Sequence, residues 1–400
     1  QLFYDTPLHL VRGRGAHVFD RDGRRFLDLY NNVPSVGHCH PKVVEALSRQ
    51  AAELNTHTRY LHEGVLDYAE RLLATMPAEI SQTMFTCTGS EANDLALRIA
   101  RDVTGGTGVI VTGYAYHGIT ASIAALSPAM GDYVPVDRDA RVVAAPLHST
   151  VSPASVGQSF ASGVRAALAD MRRHGIRPAA LLVDTLFTSD GVFADPQGFL
   201  AEAVEAVREA GGVFVADEVQ PGFGRTGDHF WGFQRHGLVP DLVTMGKPMG
   251  NGHPLAGIAY KPHIAERFGR NAAYFNTFGG APVSAAVGMA VLDVIEDEQL
   301  QANAAQVGAF LKQGLMALAR QAPCVGDVRG AGLFIGVDIT DPDTDAPDAV
   351  RARGLINAAR EKGVLIGASG PHSNILKIRP PLCLAQKDAA VFLDVLADLV

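Results

Sequence analysis

The chain has 400 residues, 47% of them hydrophobic, which is more than one small domain needs to build a core. Its 42 acidic residues outnumber 34 basic ones for a net charge of -8, and no basic block could track a nucleic-acid backbone. Cys39, Cys87, Cys324 and Cys383 form no CxxC pair, which excludes a disulfide scaffold and points to a reducing, cytoplasmic setting; no apolar run reaches the roughly 18 residues of a membrane span, and the opening residues carry no export signal.

Along the chain, GAHVFDRDGRRFLDLY, from Gly15 to Tyr30, reads as a hairpin turning at Asp22-Gly23. His40-Pro41 then opens a helix through KVVEALSRQAAEL, and VLDYAERLLATM is a second run with helical spacing. From Thr83 to about Tyr260, the apolar runs TMFTC, GVIVT, AALLVD, VFVAD, LVTM and LAGIAY alternate with helical patterns, which predicts an α/β sheet. Helices are expected over Glu91 to Arg101, Gly163 to His174 and Gly198 to Ala210. After Pro282 come a long helix through Leu292, another from Val307 to Ala319, the strand GLFIGVDI, an exposed loop at DPDTDAPDA and a closing αβα portion. The expected fold is a mostly parallel sheet covered by helices, with a smaller α+β domain from the chain ends. The expected boundaries are an N-terminal segment over 1–50, a large domain over 51–290 and a small domain over 291–400.

Chemistry concentrates at three places. Asp217 and Glu218 close the strand GGVFVADE at the sheet rim, where ligands of open α/β folds bind. Such acids either cap a strand or charge a bound heterocycle. Lys247 follows apolar LVTM in MGKPMGNG, where desolvation would make its amine nucleophilic; the other reading is a surface lysine. Thr88 to Asn93 follows a strand and opens a helix, with Ser90 as the expected N-cap and free amides suited to phosphate. An amine for an aldehyde, a carboxylate for a ring nitrogen and a phosphate cradle together point to pyridoxal 5'-phosphate. GFGRTG, Gly222 to Gly227, matches the dinucleotide pattern, but DHFWGF after it does not begin the required helix, so an active-site loop is the better reading. His38-Cys39-His40 lacks distant partners for a metal and reads as a helix start, and Cys383 reads as packing.

The ordered set GSEAN, YHG, ADEVQ, GFGRTG, MGK and NTFGG resembles the class III aminotransferase family, pyridoxal phosphate enzymes of fold type I, from the hairpin to the last residue. The resemblance implies that Lys247 holds the cofactor aldehyde and acts as base, and that Asp217 contacts the ring nitrogen. It implies further that Gly89 and Ser90 bind phosphate, Tyr116 stacks on the ring, Val219 presses its other face and Gln220 approaches the ring hydroxyl. His117 and Glu218 complete the expected cofactor set, and Thr277 would reach the cofactor of a neighbouring subunit, which implies a homodimer with sites at its interface.

Within the family, NNVPSVGHCHP, LNTHTRYLH, FTCTGSEANDLALR and GPHSNILKIRPPLC are similar to phospho-lyases acting on ethanolamine phosphate and 5-phosphohydroxylysine. Many family aminotransferases hold a substrate carboxylate with arginine at the position of Lys377. Lysine there suits phosphate as a point charge, with Arg59 or Arg379 adding forked hydrogen bonds. Arg59 either meets that anion or fixes its loop, and Asn31, Asn32 and Tyr4 are expected at the same mouth. The expected reaction is elimination of phosphate from a small phosphorylated amine. The alternative is amino transfer to an oxo acid.

Overall fold

The computed structural model describes residues 4–146 and 152–400. The chain ends meet in one sheet: Leu10–Arg14, His17–Asp20 and Arg25–Asp28 form an antiparallel ladder, and the third strand pairs in parallel with Val364–Leu365. At the expected turn, Asp20 accepts from the amides of Asp22 and Arg24 while Gly23 takes φ +84°, a conformation that glycine adopts without penalty. The strand Leu10–Arg14, outside the expected hairpin, is the open edge of this sheet.

Seven strands form the large sheet in the order Gln82–Thr86, Ala256–Tyr260, Leu242–Met245, Val213–Asp217, Pro178–Asp184, Gly108–Thr112, Ala140–Val143. Only Ala256–Tyr260 runs against its neighbours; the other ladders are parallel. All six expected strands are present. The seventh, Ala140–Val143, escaped prediction because it is a short edge strand with Arg141 inside it and Val142 facing out.

Alternation along these strands divides the core. Val213, Val215, Leu182, Ala180 and Leu242 pack with Ala92, Leu95, Ala96 and Ile99 of the helix Gly89–Thr104. Phe214, Ala216, Leu181, Val183 and Val243 face the opposite way, toward Phe160, Val164, Ala203 and Val207 of the helices Val156–Arg173 and Ala201–Glu209. Each such buried Val, Leu, Ile or Phe contributes roughly 1.5–3 kcal/mol, so register is firmly specified on both faces. The strand ends that follow inherit this parity.

The C-terminal part holds the helices Pro282–Asp297 and Leu300–Ala319 and a sheet ordered Val325–Ala331, Phe334–Ile339, Ile375–Ile378, Gly367–Ser369. The second helix starts earlier than the expected Val307, directly after Gln299 at φ +52°. Lys377 lies in the middle of this ladder, opposite Gly336 on one side and Gly367 on the other. Directly opposed residues share a face, so two neighbours without side chains leave that face low around Lys377. The large domain approaches there: a Cβ added to Gly336 would stand 3.1 Å from Val192 Cβ and 3.2 Å from the Gly191 carbonyl.

Candidate active site

By parity, Asp217 points to the same face as Val213 and Val215, toward the helix Gly89–Thr104. There its Oδ2 accepts from Asn93 Nδ2 at 2.9 Å and pairs with His117 Nδ1 at 2.7 Å, while Oδ1 accepts from the Val219 amide at 3.1 Å. Glu218 must then turn the other way. It accepts from Thr185 Oγ1 and from the amides of Gly232 and Phe233, fully enclosed, and burial pushes its pKa up to about 7. The expected cofactor role of Glu218 is thus corrected: one step along a strand reverses the face, and this carboxylate ties the next loop to the scaffold.

A pocket opens at these strand ends, lined by Gly89, Ser90, Tyr116, His117, Asp184, Asp217, Val219, Gln220 and Lys247. Thr88, not the expected Ser90, caps the helix, accepting from the Glu91 amide at 3.2 Å, and the Glu91 carboxylate reaches back to the Cys87 amide. Ser90 is left to line the pocket and accept from the Ile119 amide. Gly118 is required beside it, since φ is +138° and an added Cβ would lie 2.4 Å from Ser90 Oγ. Asp190 accepts from Thr112 Oγ1 and the Tyr114 amide, which anchors the loop carrying Tyr116 and His117.

Lys247 follows the strand Leu242–Met245 at φ +25°, a strained value for a side-chain-bearing residue, and starts a short 3-10 turn with Pro248. Burial first, then the positive charge of Arg379, lowers its pKa to about 8, against the pull of Asp217 and Asp184. Asp184 and Asp217 are register partners on adjacent strands, and burial together with that neighbouring charge raises Asp184 to about 6.

A second group of side chains, outside the pocket lining, meets it through Gln220. Arg379 donates to Gln220 Oε1 at 2.8 Å and to Asn32 Oδ1, and its guanidinium lies 4.4 Å over the Tyr30 ring. Gln220 donates in turn to Thr188 Oγ1 at 2.6 Å. Lys377 is buried, with Nζ 5.5 Å from the Phe334 ring centre; burial, Arg379 and Lys247 push its pKa well down, opposed by Asp184 and Asp190. Among the described residues, Asn32 Nδ2 and Arg379 Nε are buried without a hydrogen-bond partner.

Three expected residues lie elsewhere. Tyr4 packs with Val18, Phe26 and Leu365 and donates to the Ile366 carbonyl at 3.1 Å, so it belongs to the small-domain core. Arg59 is exposed and stacks 4.2 Å over Phe275, and Thr277 is exposed two residues further on. Both stand apart from the residues lining this chain's own pocket. The GFGRTG turn is likewise corrected from active-site loop to domain joint. Arg225 is buried and donates to the carbonyls of Leu333 (3.2 Å) and Pro380, while Gly227 packs on Ala305. His38 and His40 pair with different carboxylates, Asp28 and Glu298, and among the described residues no cluster could hold a metal. Reading the motifs missed Asn93 and Asp184 as site residues. The signal for both was strand and helix parity.

These residues fit pyridoxal phosphate: an amine of lowered pKa, a hydrogen-bonded carboxylate, a helix start with free amides, and a buried His117 Nε2 with no partner all converge on one pocket. Fold and site together define a pyridoxal phosphate enzyme of fold type I. Residues 4–400 match the profile described as aminotransferase class-III, and the chain belongs to that family. A phospholyase from Arthrobacter, solved in complex with phosphoethanolamine, superposes with a TM-score of 0.96 at 42% identity, covering 99% of this chain and 95% of that one. A Drosophila melanogaster alanine–glyoxylate aminotransferase 2-like protein is 40% identical over 98% of this chain and 82% of its own length. A Caenorhabditis elegans ethanolamine-phosphate phospho-lyase homolog is 38% identical over 97% of this chain and 87% of its own.

The comparisons also overturn the expected cytoplasmic setting. Relatives from Arabidopsis thaliana and Homo sapiens, 38% and 34% identical, are named as mitochondrial. Four unpaired cysteines suit any reducing compartment, so they never distinguished one from another.

Proposed function

We propose that this enzyme eliminates phosphate from a small phosphorylated primary amine, with ethanolamine phosphate as the model substrate. The observation that carries the reading is the cation cluster at the inner end of the pocket. The positive charge of Arg379 lowers the pKa of both Lys247 and Lys377, and Lys377 and Arg379 come from the small domain. A dianion relieves that repulsion, and the Arthrobacter relative carries such a ligand.

When bound, pyridoxal phosphate supplies a ring that accepts electrons from the substrate carbon bearing nitrogen. Asp217, held by three donors, pairs with the ring nitrogen; Gly89 and Ser90 take the cofactor phosphate, and Tyr116 and Val219 flank the ring. Lys247 carries the cofactor aldehyde and, once displaced, removes the proton from the carbon bearing nitrogen. Lys377 and Arg379 hold the substrate phosphate until the carbon–oxygen bond breaks. For ethanolamine phosphate and water, the products are acetaldehyde, ammonia and phosphate.

The reading includes a homodimer. Leu61 (95% exposed) and Tyr60 next to Arg59, Phe278 next to Thr277, and Ile119 are exposed apolar side chains that a second copy would cover, bringing Arg59 and Thr277 to the partner's pocket. The division at residues 50 and 290 is part of the same proposal. The test is incubation of purified enzyme with ethanolamine phosphate and no oxo acid. Phosphate and ammonia released in equal amounts over many turnovers support elimination. Product formed only after pyruvate is added would replace this reading by the aminotransferase one that the Drosophila melanogaster relative's name suggests.

A further inference from the structure

Asp217 does not stand alone. On the next strand, Asp184 is its register partner on the same face, so two carboxylates meet at the pocket floor, with His117, Tyr116 and Lys247 in the same pocket and Lys377 near enough to act on Asp184. Whichever acid keeps its charge determines what the pocket offers to a ring nitrogen.

Behind Asp217 is a relay in which every donor is used. Thr244 Oγ1 donates to Asn93 Oδ1 at 2.7 Å; Asn93 Nδ2 donates to the His117 carbonyl at 2.8 Å and to Asp217 Oδ2 at 2.9 Å. All four residues are at least nine-tenths buried. The amide has only one workable orientation, because the carbonyl and the carboxylate can only accept. Parity puts Thr244 there: Leu242 faces the helix Gly89–Thr104, and so must the residue two further on. Among the described residues Oδ2 takes the two side-chain contacts and Oδ1 only the Val219 amide.

We propose that Thr244 and Asn93 are positioning residues for the cofactor's ring nitrogen: the Thr244 hydroxyl holds the Asn93 amide in place, and that amide holds the Asp217 carboxylate in the orientation that meets the ring. The proposal rests on the cofactor reading and not on which reaction follows. Loss of the donor from Thr244 leaves Asn93 Oδ1 buried without that partner, which loosens the amide's position and weakens one of the two side-chain contacts on Oδ2. The Asp217–ring pair weakens with it, while the fold, packed by the same apolar neighbours, stays.

The experiment uses holoenzyme carrying cofactor labelled with nitrogen-15 in the ring, for wild type, Thr244→Val and Asn93→Ala. Nuclear magnetic resonance reads the protonation of that nitrogen, and cofactor release is timed in parallel. A second set carries an analogue with carbon in place of the ring nitrogen. The expected result is a signal shifted toward neutral pyridine in both variants, with release about fivefold faster in Thr244→Val, the size of one lost hydrogen bond between neutral groups, and faster still in Asn93→Ala, which loses the bond to the carboxylate. With the carbon analogue, variants and wild type release alike. An unchanged nitrogen signal, or the same acceleration with the carbon analogue, overturns the proposal. Should Asn93→Ala not fold, the near-isosteric Thr244→Val decides alone. Wild type that binds cofactor but releases no phosphate from ethanolamine phosphate contradicts the lyase reading and leaves this one standing.

Discussion

The cofactor floor and the substrate end of the pocket are built by opposite rules. On the floor, Asp217 and Thr244 come from packed strands, Asn93 from a helix and His117 from an anchored loop, and their contacts are short. At the proposed substrate end, Lys377, Arg379 and Asn32 come from the small domain and the N-terminal segment, cations crowd together, and among the described residues Asn32 Nδ2 and Arg379 Nε have no partner. The floor's hydrogen bonds hold one geometry and leave only His117 Nε2 open, on the side of the pocket. An unsatisfied cationic network stores affinity for an anion that completes it.

Substitutions can break that contrast, beginning with the largest effect. Lys247→Ala removes anchor and base together, and turnover is expected to fall at least about ten-thousandfold, read as phosphate release. Lys377→Met, at the substrate end, should lower kcat/KM for the phosphorylated amine about 30- to 100-fold through loss of a charged contact, with cofactor affinity unchanged; equal activity with Met would remove phosphate binding from this lysine.

The pH behaviour sharpens the boundary between the two ends. Lys247 is nucleophilic only when neutral, and its lowered pKa makes it neutral above about 8 instead of above 10.5. Cofactor capture by cofactor-free enzyme should therefore rise with pH through a midpoint near 8 and level off above it. In Arg379→Gln the levelling point should move upward, because a lowering charge is gone. Stopped-flow uptake across pH 6 to 10 measures both. The smallest effect belongs to Glu218→Gln. This should cost about 1–3 kcal/mol of stability as one acceptor becomes a donor facing an amide, visible in Tm, with cofactor retention intact.

Most of the floor was legible in the sequence because strand periodicity and motif spacing are local. The run VFVAD gave the strand, its parity and hence Asp217, although the same parity, carried one residue further, turns Glu218 away. The substrate end was less legible. Lys377 and Arg379 flank Ile378, yet what they face depends on Gly191, Val192 and Gln220 from distant segments. Tyr4 was misplaced because nothing in its flanking residues shows that the strand Val364–Leu365 closes the N-terminal sheet beside it. GFGRTG was expected as an active-site loop because no dinucleotide helix follows it, whereas the hydrogen bonds of its Arg225 go to carbonyls of the small domain.

One reversed strand sets how Lys247 is held. Ala256–Tyr260 runs antiparallel to Leu242–Met245, so the chain returns from Lys247 through a short turn, where a parallel neighbour would need a long crossover. Lys247 is thus stapled on both sides to the middle of a rigid sheet, as a hinge pin is set in its plate. The small domain carries Lys377 on the strand Ile375–Ile378 and Arg379 directly after it, and Arg225 ties the adjoining Pro380 to the large domain. The proposed anchor and the proposed anion site therefore rest on different sheets, Lys247 at the end of a strand of the seven-stranded one and Lys377 within the four-stranded one.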